Sequence, residues 1–461
     1  MTPLSDVWED YEAARRGQAE AALPESSAWV EANAGSGKTK VLIDRVARLL
    51  LRGAEPDSIL CVTYTKAAAS EMQARLFDRL GGWCVMEESL LRERLAELEG
   101  RTVENYTHED VGRARELFAK ALETPGGLRI ETIHAFCGRV LRRFPLEAGV
   151  APGFRELDED ASGDLWEEAF RAMGRRVVRG DAALVEAARQ VAEAGGGKGF
   201  SALRALLSRR AAIQRFVAGA GGIDAAVEAL RRTIGAGTVP APRIIEQAMG
   251  PDLPREKLRL ALAGFAAGAV TDKKQADLLA IVLAEALDAD DRFAALQKVM
   301  FTQKGELRKT IATKAVCAKH PIVLELFATD APQGAETLRI QEVKRAFNAR
   351  LVFERSTALL RLAHVLFADF DERKRDHAGL DFDDLIETVS RLLTRRHAAE
   401  WVLWKLDGGI AHVLVDEAQD TSPAQWRILK ALTDDIFAGA GAERESPRTL
   451  FVVGDQKQSI Y

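Results

Sequence analysis

The segment 32–39 is rich in glycine and ends in a lysine and a threonine. Glycine at positions 35 and 37 allows backbone N–H groups to turn towards phosphate oxygens, because no Cβ stands in the way. Lys38 can place a positive charge on the β- and γ-phosphates of a nucleotide, and the Thr39 hydroxyl can coordinate Mg²⁺. The strict pattern has glycine where this chain has Ala32. The predicted nucleotide-binding residues of this segment are Ala34, Gly35, Ser36, Gly37, Lys38 and Thr39.

A second segment, 413–420, is an apolar run that ends in two adjacent carboxylates. Asp416 can hold Mg²⁺ directly or through water, while Glu417 orients and deprotonates an attacking water. A solvated acidic turn is the alternative for this segment taken alone, since carboxylates are common where loops begin. Together with the glycine-rich segment, the carboxylates predict a site for nucleoside triphosphate hydrolysis, with Lys38 and Glu417 as catalytic residues.

A third segment, 454–461, places polar side chains after the last apolar run. Gln458 stands where a side-chain amide could sense a γ-phosphate, and we predict it as a further catalytic residue. A polar turn after an edge strand is the alternative. The preceding residues 438–447 are rich in Gly, Ala and Glu and predict a solvated loop.

Short apolar runs alternate with helical patterns around these three segments. A run at 27–32 precedes the glycine-rich segment, and a helical pattern over 39–51 follows it. Further strand-like runs lie at 59–62, 128–132, 410–415 and 449–453. Strands that alternate with helices predict the α/β class, here a P-loop NTPase domain built on a parallel sheet with right-handed crossovers.

Long helical patterns rich in Ala, Arg, Leu and Glu fill the middle of the chain, from about residue 158 to about 367. They indicate a large, mostly helical inserted domain, so that the α/β domain is discontinuous in sequence. We predict a nucleotide-binding domain over 1–155 and 367–461 and a helical insertion over 156–366.

Basic residues near Phe301 either track a phosphate backbone or form a solvated helical face. They are Lys298, Lys304, Arg308, Lys309, Lys314 and Lys319.

The composition excludes several classes of protein. With 64 Lys+Arg against 69 Asp+Glu, the formal net charge of −5 identifies no partner by itself, and 47% hydrophobic residues indicate a core-forming chain. No apolar run is long enough to span a bilayer and the N-terminus has no signal-peptide pattern, so we predict a cytoplasmic protein. Four cysteines without a CxxC pair support neither a disulfide framework nor a zinc site.

The residues of these segments and their order along the chain resemble the motifs of the superfamily 1A DNA helicases, the group of UvrD, Rep and RecB. Segment 62–69 is similar to motif Ia of this family, which binds single-stranded DNA, and segment 132–136 resembles motif Ib. Segment 380–385 resembles the part that ends the family's inserted 1B domain. Segments 416–420 and 454–461 look closer to those of AddA and RecB than to those of UvrD itself. The fold that the resemblance implies is RecA-like.

The resemblance also implies cofactors, partners and further site residues. The cofactors would be ATP and Mg²⁺, and the partners would be single-stranded DNA and duplex ends, with no membrane. Gln18 matches the family's glutamine that reads adenine, and Lys66 stands where UvrD-like members usually have Asn. The implied DNA-binding residues are Thr63, Tyr64, Lys66, Thr132, His134 and Tyr461.

The function implied is that of the motor part of an AddAB-type helicase/exonuclease. Such a motor couples ATP hydrolysis to translocation on single-stranded DNA in double-strand break repair and recombination, beside an AddB-like partner subunit. Because the chain stops at Tyr461 inside motif III, we expect a fragment or a truncated gene product that binds ATP and DNA but does not unwind duplexes alone. The alternatives are a non-motor nucleotide- and DNA-binding module from a truncated gene, and a P-loop NTPase unrelated to DNA.

Overall fold

The computed structural model describes residues 17–31, 37–125, 127–195, 197–394, 396–407, 409–437, 448–455 and 457. The site residues Ala34, Gly35, Ser36, Gln458 and Tyr461 lie outside this set, as does the predicted loop at 438–447. The chain forms two compact units. The sheet unit contains the described residues up to Leu165 and from Arg373 onwards, and the helical unit is Trp166–Glu372.

Short strands form the centre of the sheet unit. They are β1 (Ala28–Glu31), β2 (Ile59–Thr63), β3 (Arg129–Thr132), β4 (Arg155–Glu156), β5 (Gly379–Leu380), β6 (His412–Val415) and β7 (Thr449–Gly454). Five of them pair in parallel, in the order β1-β7-β6-β2-β3, and β4 pairs with β5 as a separate parallel ribbon. The predicted α/β class with a parallel sheet is therefore confirmed.

Alternate residues of the central strand β2 face opposite sides of the sheet, as the period of a strand requires. Ile59 and Cys61 belong to one buried cluster, and Leu60 and Val62 belong to the other. Both sides of this strand are therefore covered by helices, which is why its sequence is a continuous apolar run. Trp83 is buried in the first cluster.

Different parts of the sequence supply the helices of the two faces. The first cluster is covered by helices Lys38–Leu51, Lys66–Val85, Glu88–Glu99 and His108–Glu123. The second cluster is covered by helices Ile133–Arg143, Pro145–Ala148, Phe382–Thr394, Arg396–Asp407 and Pro423–Phe437. Single turns of 3₁₀-helix lie at Pro56–Ser58, Val103–Asn105 and Ala418–Asp420.

The parallel register brings the carboxyl ends of the strands to one edge of the sheet. Thr63 is the partner of Thr132, Val62 is the partner of Val415, and Glu31 is the partner of Gly454. The residues that follow these strands therefore share this edge, which is where open parallel sheets bind ligands.

The helical unit has a hydrophobic cluster of its own, with Phe265 fully buried in it. Two helices, Glu159–Val178 and Ala335–Asp376, run across the boundaries between the units, so the predicted domain division at 155/156 and 366/367 stays a proposal. The other helices are Ala182–Gly195, Gly197–Ala205, Arg210–Ala220, Ile223–Ile234, Ala241–Met249, Arg255–Ala266, Val270–Leu283, Ala289–Met300, Lys314–Lys319 and Pro321–Phe327, with a 3₁₀ turn at Leu207–Arg209. In the described part of the chain, no helix has the length and apolar character needed to cross a membrane.

The basic residues near Phe301 lie in this helical unit. Lys298, Lys304 and Lys309 are exposed, whereas Phe301 is buried and its ring lies 3.8 Å from the Nζ of Lys344. A buried ring beneath an ammonium group is not available to stack on a base, so a nucleic-acid contact at this stretch would rest on the basic residues alone. The exposed lysines remain compatible with either interpretation of this stretch.

Candidate functional site

The helix Lys38–Leu51 begins at the end of the glycine-rich segment. Gly37 precedes it with φ +86° and ψ 21°, a left-handed conformation that glycine adopts without strain. This residue has no side chain to cap the helix, so the first-turn N–H groups and the positive end of the helix dipole are available to an anion. The amide nitrogen of Gln18 lies 3.6 Å from the position that a Cβ on Gly37 would take. The residue predicted to read adenine is thus next to the predicted phosphate loop.

A buried arginine holds the chain segment that carries Gln18. Arg45 donates hydrogen bonds to the carbonyl oxygens of Ala21, Leu23 and Ser26. Burial lowers the pKa of Arg45 to about 10, which leaves it charged at neutral pH. The sequence motifs did not indicate a role for Arg45. An arginine on the buried face of an amphipathic helix is nevertheless a recognisable signal, because a buried charge requires partners.

Lys38 and Glu417 meet across the sheet edge. The Nζ of Lys38 donates to Oε2 of Glu417 at 3.0 Å, although the two residues are 379 positions apart in sequence. Lys38 is only 9% exposed and the Glu417 side chain is 38% exposed. The structure therefore brings together two of the three residues that the sequence predicted as catalytic, with the ammonium buried and the carboxylate open to solvent; the third, Gln458, lies outside the described residues.

Asp416 is the first residue after β6 and is buried. Its N–H donates to the carbonyl of Val62, and its Oδ1 accepts a hydrogen bond from the N–H of Glu417. Burial, followed by the negative charge of Glu417, raises the pKa of Asp416 to about 6. Burial and a neighbouring negative charge destabilise the ionised form of a carboxylate, and a cation that binds to the carboxylate offsets this cost.

The donor set fits Mg²⁺ better than a metal held by protein alone. Among the described residues, no group of three or more His, Cys, Asp or Glu side chains could hold a metal ion. Mg²⁺ in nucleotide sites is commonly bound by one or two carboxylates together with phosphate oxygens and water. The half-buried Thr39 and the carboxylate of Asp416 are a donor set of this kind.

The turn after Asp416 links the site to β7. Glu417 has φ +49°, a left-handed conformation that is uncommon outside glycine, and the 3₁₀ turn Ala418–Asp420 follows it. In this turn the Gln419 side chain contacts both Glu417 and the backbone of Asp455. Gln419 belongs to the segment 413–420, in which the sequence pattern indicated a role only for the two carboxylates.

The predicted DNA-binding residues after β2 differ in exposure. Tyr64 is 46% exposed and Lys66 is exposed, at the start of helix Lys66–Val85. Thr63 is buried, and its hydroxyl donates to the carbonyl of Thr65. The Tyr64 ring and the Lys66 ammonium group are therefore accessible, whereas the Thr63 hydroxyl forms a hydrogen bond within the turn.

The predicted DNA-binding residues after β3 are less accessible. Thr132 is buried, and its hydroxyl accepts a hydrogen bond from the N–H of Ala135, which caps helix Ile133–Arg143. His134 is half-buried, with its ring centroid 5.1 Å from that of Phe382. Burial lowers the pKa of His134, so the ring is neutral at pH 7. The roles of these residues in DNA binding stay predictions.

Comparisons with known proteins agree with this architecture. The family model of the UvrD/REP helicase N-terminal domain matches residues 14–461. The chain is 26% identical to the AddA subunit of the ATP-dependent helicase/nuclease from Levilactobacillus brevis, over 94% of this chain and 33% of the relative. It is also 26% identical to the proteins of the same name from Lactiplantibacillus plantarum and Bacillus pumilus, in each case over 94% of this chain and 34% of the relative.

The chain spans about a third of the length of these curated relatives. The match to the family model, in contrast, runs over nearly the whole chain. By that match, the chain belongs to the family of UvrD/REP helicase N-terminal domains.

Proposed function

We propose that this chain is the ATP-binding motor part of a DNA helicase of the AddAB helicase/exonuclease type, which couples ATP hydrolysis to translocation along single-stranded DNA. The observation that carries the proposal is the 3.0 Å contact between Lys38 and Glu417. It joins the glycine-rich segment to the acidic strand end at the edge of a parallel sheet where ligands bind.

The proposed roles follow from charge and accessibility. Lys38 exchanges its contact with Glu417 for the phosphates of ATP, which frees the Glu417 carboxylate to orient and deprotonate a water. Thr39 and Asp416 hold Mg²⁺, which when bound supplies positive charge against the phosphates. Gln18 reads the adenine, the backbone of Ala34, Gly35 and Ser36 binds phosphate, and Gln458 senses the γ-phosphate.

The proposed DNA path crosses the same edge of the sheet, after β2 and β3. Tyr64 supplies a stacking surface and Lys66 a phosphate contact, because both are exposed. His134 and Tyr461 are secondary candidates. Thr63 and Thr132 shape the backbone on which the DNA would lie, because their hydroxyls are already used within the protein.

The cellular setting is proposed from the relatives alone. Their name describes one subunit of a helicase/nuclease assembly. We propose accordingly an AddB-like partner, a role in double-strand break repair and recombination, and a cytoplasmic location.

The test measures two activities of the purified chain. We expect ATP hydrolysis that requires Mg²⁺ and is lost in Glu417→Gln, and binding of a labelled single-stranded oligonucleotide that is measured by fluorescence anisotropy. Hydrolysis without DNA binding would favour an NTPase unrelated to DNA. Absence of both activities in a folded chain would overturn the proposal.

A further inference from the structure

Gln419 lies in the short turn between the carboxylate pair and helix Pro423–Phe437. Its Nε2 donates to Oε2 of Glu417 at 2.6 Å, and its Oε1 accepts from the N–H of Asp455 at 2.9 Å. One side chain thus contacts both the carboxylate at the end of β6 and the backbone at the end of β7.

The chemistry of the two partners permits only one orientation of this amide. With the oxygen and nitrogen exchanged, an oxygen would face the Glu417 carboxylate and an N–H would face the N–H of Asp455. Both contacts would then be repulsive. The Gln419 side chain is therefore oriented by two partners at once, and the bond to the carboxylate is charge-assisted.

The backbone of β7 approaches this turn closely. A Cβ on Gly454 would lie 3.0 Å from Oε1 of Gln419 and 3.3 Å from the Cβ of Ala418. A side chain at position 454 would be crowded by both atoms, so the turn and the end of β7 are closely packed against each other.

Glu417 has two contacts of different chemical kind at the same oxygen. Lys38 and Gln419 both donate to Oε2. When Lys38 turns to a phosphate, the Gln419 amide still holds the carboxylate. Glu417 also has a left-handed backbone, so its side chain leaves the strand end in a direction that the turn fixes.

We infer that Gln419 is a positioning residue, whose amide fixes the orientation of the Glu417 carboxylate relative to the carboxyl end of β7. This inference rests on the proposed function, because it assumes that Glu417 activates the attacking water. Gln419 itself does not touch the nucleotide.

Two substitutions separate the two halves of the Gln419 amide. Gln419→Met has a similar length but neither hydrogen bond, and we expect kcat for ATP hydrolysis to fall about 10- to 100-fold with KM unchanged. Gln419→Glu can still accept from the N–H of Asp455 but places a second carboxylate beside Glu417. We expect a loss at least as large in this variant, whereas a residue that only anchors β7 would leave Gln419→Glu near wild type.

Gln425 offers a matched control. Like Gln419, it is a glutamine that follows the carboxylate pair. It is buried, and its Oε1 accepts from the N–H of Ser422, which is a local capping contact. Gln425→Met should leave kcat and KM unchanged. An equal fall in kcat in this variant would mean that any disturbance of the segment impairs hydrolysis, which overturns the inference.

A second measurement needs no nucleotide. In a double-mutant cycle of urea unfolding midpoints, Gln419→Met should shift the midpoint less in a Glu417→Ala background than in wild type, because the bond to Glu417 is already lost. Additive shifts would overturn the inference.

The outcomes distinguish the inference from the proposed function. If the unchanged chain does not hydrolyse ATP, the proposed function fails and the inference fails with it. If the chain hydrolyses ATP, Glu417→Gln abolishes hydrolysis, and both Gln419 variants match wild type, only the inference fails.

Discussion

Two groups of residues share the carboxyl edge of the sheet but use their polar atoms differently. After β1 and β6, Lys38 and Glu417 contact each other across 379 positions of sequence. At the ends of β2 and β3, the hydroxyls of Thr63 and Thr132 form hydrogen bonds with backbone groups two and three residues further along the chain. The nucleotide side, which we call the assembled side, thus joins charged groups from distant parts of the sequence. The proposed DNA side, which we call the accessible side, presents an exposed ring and a cation.

The largest expected effect is on the assembled side. Lys38→Ala should weaken nucleotide binding by about 2–5 kcal/mol, because it removes a buried ammonium group that faces the phosphates. Isothermal titration calorimetry with a non-hydrolysable ATP analogue measures this. Lys40→Ala removes an exposed lysine of the same helix and is the control. Similar losses in both variants would mean that position 38 has no special role.

The buried His412, the first residue of β6, makes the stability of the sheet unit sensitive to pH. Its Nδ1 lies 2.9 Å from Oγ1 of Thr449, and burial followed by the charge of Arg45 lowers its pKa to about 4. Between pH 6.5 and 4 the unfolded state binds a proton at His412 that the native state does not, so the contribution of His412 to the free energy of unfolding falls as the pH falls, by up to about 3 kcal/mol. The raised pKa of Asp416 acts in the opposite direction and is the same in wild type and variant.

His412→Asn tests this pH dependence. Urea unfolding of wild type and variant from pH 7 to pH 4 should show a steeper loss of stability in wild type. Parallel curves would contradict the assignment of the proton to His412.

Tyr64→Ala tests the accessible side. Stacking on one aromatic ring contributes about 1–3 kcal/mol per base, so we expect single-stranded DNA to bind more weakly by that amount, with an unchanged slope of log K against log salt. Trp404→Ala removes another exposed aromatic ring, on helix Arg396–Asp407, and is the control. Unchanged binding in Tyr64→Ala would remove the main support for the proposed DNA path.

The smallest effect is expected at Thr132. Thr132→Val keeps the shape but loses the cap of helix Ile133–Arg143, which should lower the free energy of unfolding by about 1 kcal/mol. DNA affinity should not change. A large loss of DNA affinity without a loss of stability would show that the Thr132 hydroxyl contacts DNA. It would contradict the assignment of this hydroxyl to the helix cap.

The sequence predicted the sheet better than it predicted the contacts of the site. Buried strands such as β2 are visible as apolar runs, because both faces are covered and the run must be continuous. Lys38 and Glu417 were found because phosphate and metal chemistry demands their residue types at the ends of strands. These requirements follow from the chemistry of the ligand, so they can be recognised in the sequence without knowing which side chains contact each other in the fold.

Residues that act through three-dimensional contacts were missed. Gln419 has a plain amide whose role depends on Asp455, a partner on another strand. Phe301 lies among lysines in the sequence, but its ring is buried and lies under the Nζ of Lys344, a contact that the local pattern does not show. Local pattern determines the secondary structure, but long-range packing decides which polar and aromatic groups remain free.

The distance in sequence between Lys38 and Glu417 also has a consequence for synthesis on the ribosome. At about 5–20 residues per second, roughly 20–75 s pass between the appearance of the two residues. During that time β2 lacks β6, its neighbour on the side away from β3, and β1 lacks β7. The nascent chain therefore exposes unpaired edges of β1 and β2 before the ATP site can form, and the helical unit is synthesised in full before the sheet that surrounds it in sequence.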